Sequence, residues 1–129
     1  MDFDLDAYRW KSRILLIFAP SADSKAYKQQ TREFEGQKDG ILDRDLIILE
    51  LLEIRETRAG TKPLSERVAR QMRRQFDVGA GEFVLILIGK DGTVKLRSNQ
   101  PVVISKLFGL IDAMPMRQQE MLRKKKPSG

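Results

Sequence analysis

Neither cysteine nor histidine occurs among the 129 residues of the chain. The two absences exclude disulfides, thiolate nucleophiles, Cys/His zinc sites and Ser-His-Asp or Cys-His catalysis. Chemistry is left to carboxylates, lysine, arginine, serine and tyrosine, and no metal or cofactor is expected. Long apolar runs are missing too: the longest, 14–20 and 83–89, fall far short of the roughly 20 residues of a membrane helix, so no membrane span is expected. The start, MDFDLDAYRW, is acidic where a secretory leader carries positive charge. No targeting segment is therefore expected, and a cytoplasmic location is the default, with a trimmed, exported mature form as the alternative. What is present is 41% hydrophobic and 33% charged residues with a formal net charge of +6, the balance of a globular chain. A chain of this length buries about two-thirds of its unfolded surface around one core. One domain over 13–122 is expected, between an N-terminal arm, 1–12, and a basic disordered tail, 123–129.

The apolar run at 13–19 reads as a strand buried on both faces. Ser21, Asp23 and Ser24 follow as helix-capping residues. A helix is expected over 24–38 with Tyr27, Thr31 and Phe34 on one face and Gly40 helping to end it. A second apolar strand runs over 46–52, interrupted only by Glu50. The polar segment 54–63, with Gly60 and Pro63, reads as a loop. Beyond it Leu64, Val68, Met72 and Phe76 recur every fourth residue and define an amphipathic helix. A third buried strand spans 83–88, and Asp91-Gly92 signals a hairpin into TVKLRS, where Val94 and Leu96 are expected inward and Lys95 and Arg97 outward. Pro101 breaks that edge strand, Ile104, Leu107, Phe108 and Ile111 line a further helix, and the chain stays helix-capable to Leu122. Strand, helix, strand, helix, strand, strand, helix, with a right-handed crossover, gives an α/β fold. Its four-stranded mixed sheet, in the order 4-3-1-2 between flanking helices, is the thioredoxin-like arrangement.

That fold keeps its reactive thiol where strand one meets helix one, because the free N–H groups and the helix dipole stabilise a thiolate there. In this chain the position reads APSADSKAY. A serine hydroxyl beside no base is not a nucleophile at neutral pH, so Ser21 and Ser24 read as caps, although the helix terminus can still hold an anion. Gly81 and Glu82 stand where thioredoxins place a cis-proline before the third strand. Dithiol exchange and peroxidase activity are therefore not expected. Arg67, Arg70 and Arg74 form a basic stripe and 123–126 a cationic tail, but no aromatic residue interleaves with them for base stacking, and nucleic-acid binding is not the favoured reading.

Four stretches, LDAYRWKSRILLIFAPS, RDLIILEL, LIGKDGTVKLRS and LIDAMPMRQQEM, together resemble a bacterial family of domains of unknown function. Related domains occur in sushi-repeat-containing X-linked proteins and in an extracellular-matrix coiled-coil-domain protein linked to adipogenesis and growth suppression. The resemblance covers residues 5–121 and implies a thioredoxin-like fold with peroxiredoxins as the nearest relatives. It implies no activity, and this chain lacks the cysteine a peroxiredoxin mechanism requires.

Topology places the remaining motifs. Strands one and two rise from the end of the sheet called lower here, which gathers Trp10, Lys11, Arg13, Arg44, Asp45, Lys90, Asp91, Asp112 and Arg117. Asp112 or Asp45 is expected to pair with Arg13, Arg44, Lys90 or Arg117. Ser21, Ser24, Glu82 and Arg97 mark the upper end. The expected function is binding of a protein or a small anionic ligand without thiol chemistry. A second reading is an enzyme of unassigned reaction using Lys, Arg and carboxylate groups, and weak nucleic-acid binding is a third.

Overall fold

In a computed structural model of the chain, residues 4–53 and 66–125 are described. Among the described residues the strands are β1, Arg13–Ala19; β2, Leu46–Leu52; β3, Val84–Ile88; and β4, Val94–Ser98. They form one mixed sheet in the order β2-β1-β3-β4. β1 pairs parallel with β2, Arg13 opposite Leu46, and antiparallel with β3, Ile14 opposite Ile88. All seven residues of β1 are buried, as expected for a run of Ile, Leu and Phe flanked by strands on both sides. Among the described residues the α-helices are α1, Lys25–Glu33; α2, Lys38–Asp43; α3, Glu66–Gln75; α4, Ile104–Asp112; and α5, Pro115–Lys125, with a 3-10 helix at Leu5–Tyr8 before β1.

Alternation along the strands divides the core in two. Leu15, Ile17, Leu85 and Leu87 face one side of the sheet and pack with Tyr27 of α1 and Leu107 and Ile111 of α4. Ile14, Leu16, Phe18, Val84, Ile86 and Ile88 face the other and pack with Val68, Ala69 and Met72 of α3. Each such aliphatic side chain contributes about 1.5–3 kcal/mol on burial.

Several expectations are corrected. The helix over 24–38 is two helices: α1 ends at Glu33, Gly36 at φ 73 turns the chain, and α2 starts at Lys38. Gly40 does not end a helix but lies inside α2, where a Cβ would stand 2.8 Å from Cε2 of Phe108. The buried polar residue of α1 is Gln30, whose amide donates to Val102 O (2.9 Å) and whose Oε1 accepts from Val102 N (2.7 Å). Val94 does not point inward; it is 51% exposed at the start of the edge strand. The last helix passes Leu122 and runs to Lys125. The loop over 54–63, Leu64 and residues 126–129 of the tail lie outside the described residues.

Candidate functional site

The lower end of the sheet carries a network of charge drawn from the strands and their turns and from α2, α4 and α5. Arg13, the first residue of β1, is fully buried. Burying a lone cation costs several kcal/mol, so its fork must be answered. Nη1 and Nη2 donate to Oε1 (3.1 Å) and Oε2 (3.0 Å) of Glu120 in α5, and Nη1 also donates to Arg44 O (2.8 Å). Lys90, in the turn between β3 and β4, donates to Glu120 Oε2 (2.9 Å) and to Asp45 Oδ2 (2.8 Å).

A second set surrounds Asp112, the last residue of α4. It accepts from Arg44 Nη2 (3.0 Å) and Arg117 Nε (3.0 Å), while Arg117 Nη2 donates to Asp43 Oδ2 (2.6 Å). Arg117 Nη1 lies 3.9 Å from Glu120 Oε1 and joins the two sets. Lys124 adds an ion pair to Asp43. The guanidinium of Arg44 lies 3.8 Å from the Phe108 ring centre, and its Nη1 donates to Gly40 O (3.0 Å), an approach that a side chain on Gly40 would obstruct.

The ionisation of these groups follows from their neighbours. Bonds from Lys124 and Arg117 hold the Asp43 carboxyl down at about 2. Burial pushes Asp112 and Glu120 up, but bonds from Arg44 and Arg117, and from Arg13 and Lys90, outweigh it and leave both below the usual carboxylate range. Burial likewise works against the Arg117 charge, and Asp43 and Asp112 reverse it. The pairing expected of Asp45 and Asp112 is present. Arg13, however, pairs with Glu120, which no expectation named, and Asp43 was missed as well. Glu120 stands three residues after Arg117, but only the way α5 folds back under the sheet brings it to β1.

Three expected lower-end residues stay outside the network. Asp91 closes its own turn, accepting from Thr93 N (3.0 Å) and Lys95 Nζ (2.9 Å), and these bonds hold it down at about 2. Lys11 is exposed. Trp10 is 59% exposed and sits at φ 70, where its amide donates to Lys90 O (2.6 Å) and the Arg9 guanidinium lies 5.3 Å from its ring centre.

The upper-end residues do not converge on one another. Ser24 Oγ caps α1 by accepting from Tyr27 N (3.4 Å), and Ser21 Oγ accepts from Asp23 N (3.2 Å). Glu82 accepts from Gly79 N (2.9 Å), and Arg97 donates to the carbonyls of Phe76 and Asp77 just beyond α3. Ser21, Ser24 and Glu82 answer their own turns or helix end, and Arg97 reaches from β4 to close the end of α3. The Arg67, Arg70 and Arg74 stripe is solvent-facing, opposite buried Val68 and Met72. No helix of the described residues is long and apolar enough to cross a membrane.

Comparison with known proteins gives a consistent picture. A family profile described as "Domain of unknown function (DUF4174)" matches residues 4–120. Sushi repeat-containing protein SRPX of Homo sapiens is 30% identical over 121 residues, covering 92% of this chain and 26% of that protein. Coiled-coil domain-containing protein 80 of Danio rerio is 29% identical over 133 residues, covering 91% of this chain and 15% of that protein. The chain thus matches about a quarter or less of these relatives' length. They are vertebrate proteins and lend no support to a bacterial source or a cytoplasmic location. Among solved structures, the reduced 2-Cys peroxiredoxin of Plasmodium vivax is similar at a TM-score of 0.66 and 13% identity, covering 91% of this chain and 85% of that one. The Plasmodium yoelii thioredoxin peroxidase I follows at a TM-score of 0.62 and 16% identity, covering 96% and 82%. At such identities the likeness establishes the thioredoxin-like fold and nothing of the chemistry.

Proposed function

The chain belongs to the DUF4174 family of domains of unknown function, and on that premise we propose that it is a protein-binding domain without thiol chemistry, whose partner docks at the lower end on Trp10. The observation that carries this reading is Trp10 itself: the only tryptophan of the chain is 59% exposed and held at a positive φ. Tryptophan and arginine dominate the residues on which protein interfaces depend, because each offers a large rigid face with a polar edge. Here Arg9 and Lys11 flank the ring, both exposed. With a net charge of +6 on the chain, the segment that fits is apolar at its centre and acidic around it. Ser21 and Ser24, at the place where this fold carries a thiol, spend their hydroxyls on local turns.

The test is selection of peptides from a displayed random library on the immobilised domain, followed by titration against Trp10→Ala. The expected outcome is peptides rich in Asp and Glu that lose at least roughly 30-fold in affinity on the variant, the loss of an anchor worth about 2 kcal/mol. Peptides that bind wild type and Trp10→Ala equally would contradict the reading. In a thiol-coupled assay the domain is expected to consume hydrogen peroxide no faster than buffer; turnover above that rate would contradict the redox half of the proposal.

A further inference from the structure

Independently of Trp10, we propose that Arg13 and Lys90 form a carboxylate-binding pocket that the chain fills from within, the Glu120 carboxylate standing in for that of a ligand that enters when α5 lifts. The donors are built like a binding site. Arg13 is fully buried and Lys90 is 8% exposed, yet both direct N–H groups at one carboxylate: Arg13 Nη1 to Oε1 (3.1 Å), Arg13 Nη2 to Oε2 (3.0 Å) and Lys90 Nζ to Oε2 (2.9 Å). A two-pronged guanidinium clamp with a third charged donor is the geometry that selects a planar carboxylate.

The pocket is organised without α5. Arg13 Nη1 is also held by Arg44 O (2.8 Å) and Lys90 by Asp45 Oδ2 (2.8 Å), and the two residues sit on β1 and on the β3–β4 turn rather than on mobile supports. Glu120 also leaves the buried Nε of Arg13 without an acceptor, so the plug does not exhaust the pocket's donors.

The plug, in contrast, is held by charge. Among the residues of α5 whose burial is described, the only buried one is Arg117, and Met116 and Leu122 are exposed. Among the described residues its polar ties to the body are the ion pairs of Glu120, Arg117 and Lys124 and the bonds from Arg117 to Asp43 O and from Gln118 to Asp112 O. A helix docked this way has no fully buried apolar side chain among its described residues.

The experiment empties the pocket and refills it. Glu120→Ala leaves the Arg13 guanidinium with no carboxylate and Lys90 with Asp45 alone, so its melting temperature falls below that of wild type. Sodium acetate is expected to raise it by about 5 °C at ten times the dissociation constant and to go on raising it with the logarithm of the acetate concentration, with no such rise in equimolar sodium chloride and none in wild type, whose pocket is full. Adding Lys90→Ala to Glu120→Ala removes one donor and should raise the acetate needed at least tenfold. If Glu120→Ala does not fold in chloride, its refolding yield from urea is read in acetate against chloride, and acetate-dependent folding supports the pocket. Equal yields in the two salts, acetate effects no larger than those of chloride, or the same acetate effect in wild type or in the double variant would each overturn the proposal.

Discussion

A tryptophan at φ 70 costs on the order of 1–3 kcal/mol, because the backbone carries its Cβ into a region that bulky L-residues avoid. Here the strain is held by backbone bonds on either side, from Trp10 N to Lys90 O and from Lys11 N to Tyr8 O. Glycine at position 10 would adopt the same backbone freely. Trp10→Gly is therefore expected to leave stability in urea unchanged or raised by up to about 1 kcal/mol, while removing the partner's anchor. A loss of more than about 1 kcal/mol would show instead that the ring holds the N-terminal arm in place. The residues around this position were unequally legible. Asp112, Arg44, Arg117, Lys90 and Asp45 follow from topology, since the order of elements brings their segments to one end of the sheet whatever the details of packing. The Arg13 to Glu120 clamp does not follow, because it depends on the angle at which α5 leaves α4. Nor does Trp10's positive φ, which nothing in its neighbours' side chains announces.

Among the elements, α2 shows how packing overrides a local signal. Gly40 reads as a helix end because glycine weakens helices, yet it sits within α2 so that the Phe108 ring and the Arg44 side chain can close over it. Ala is the better helix former by about 1 kcal/mol, but its Cβ would meet Phe108 at 2.8 Å and Arg44 Nη1 at 3.3 Å. Overpacking of that kind costs roughly 1–3 kcal/mol. Gly40→Ala is accordingly expected to lower the melting temperature by a few degrees; a rise would mean that Phe108 moves aside freely and that the stack on Arg44 contributes nothing. The strands were legible almost to the residue, since apolar runs between polar breaks, interrupted only by Glu50 in β2, leave little choice for β1, β2 and β3. The helix expected over 24–38 was not, because its break depends on Gly36 turning left-handed and its buried side is completed by Gln30, a polar residue that no hydrophobic period reveals. Val94, for its part, is exposed because a register irregularity at Leu87 and Ile88 displaces the start of β4.

For the whole molecule, the network makes stability depend on pH in a defined direction. Asp43, Asp112 and Glu120 all ionise more readily in the fold than unfolded, so the folded state binds fewer protons at acidic pH. Their contribution is present in full above the unfolded values, 3.8 for Asp43, and is lost as pH falls through the folded ones, about 2 for Asp43. Urea midpoints should change little from pH 7 to 5 on account of these groups and fall steeply from pH 4 to 2, less steeply in Asp43→Asn; an unchanged slope in that variant would remove Asp43 from the network's balance. The two ends of the sheet thus differ in kind: the upper end, where this fold carries a thiol, holds hydroxyls and charges engaged in turns and helix ends, and the lower end holds an ionic network beside an exposed tryptophan. The proposed partner surface lies at the lower end. The most direct test is the backbone amide NMR spectrum of the domain titrated with an acidic peptide selected on it. Shifts confined to residues 8–13 and 89–94 are expected; shifts centred on 20–28 and 79–83 would place the working surface at the upper end and contradict the proposal.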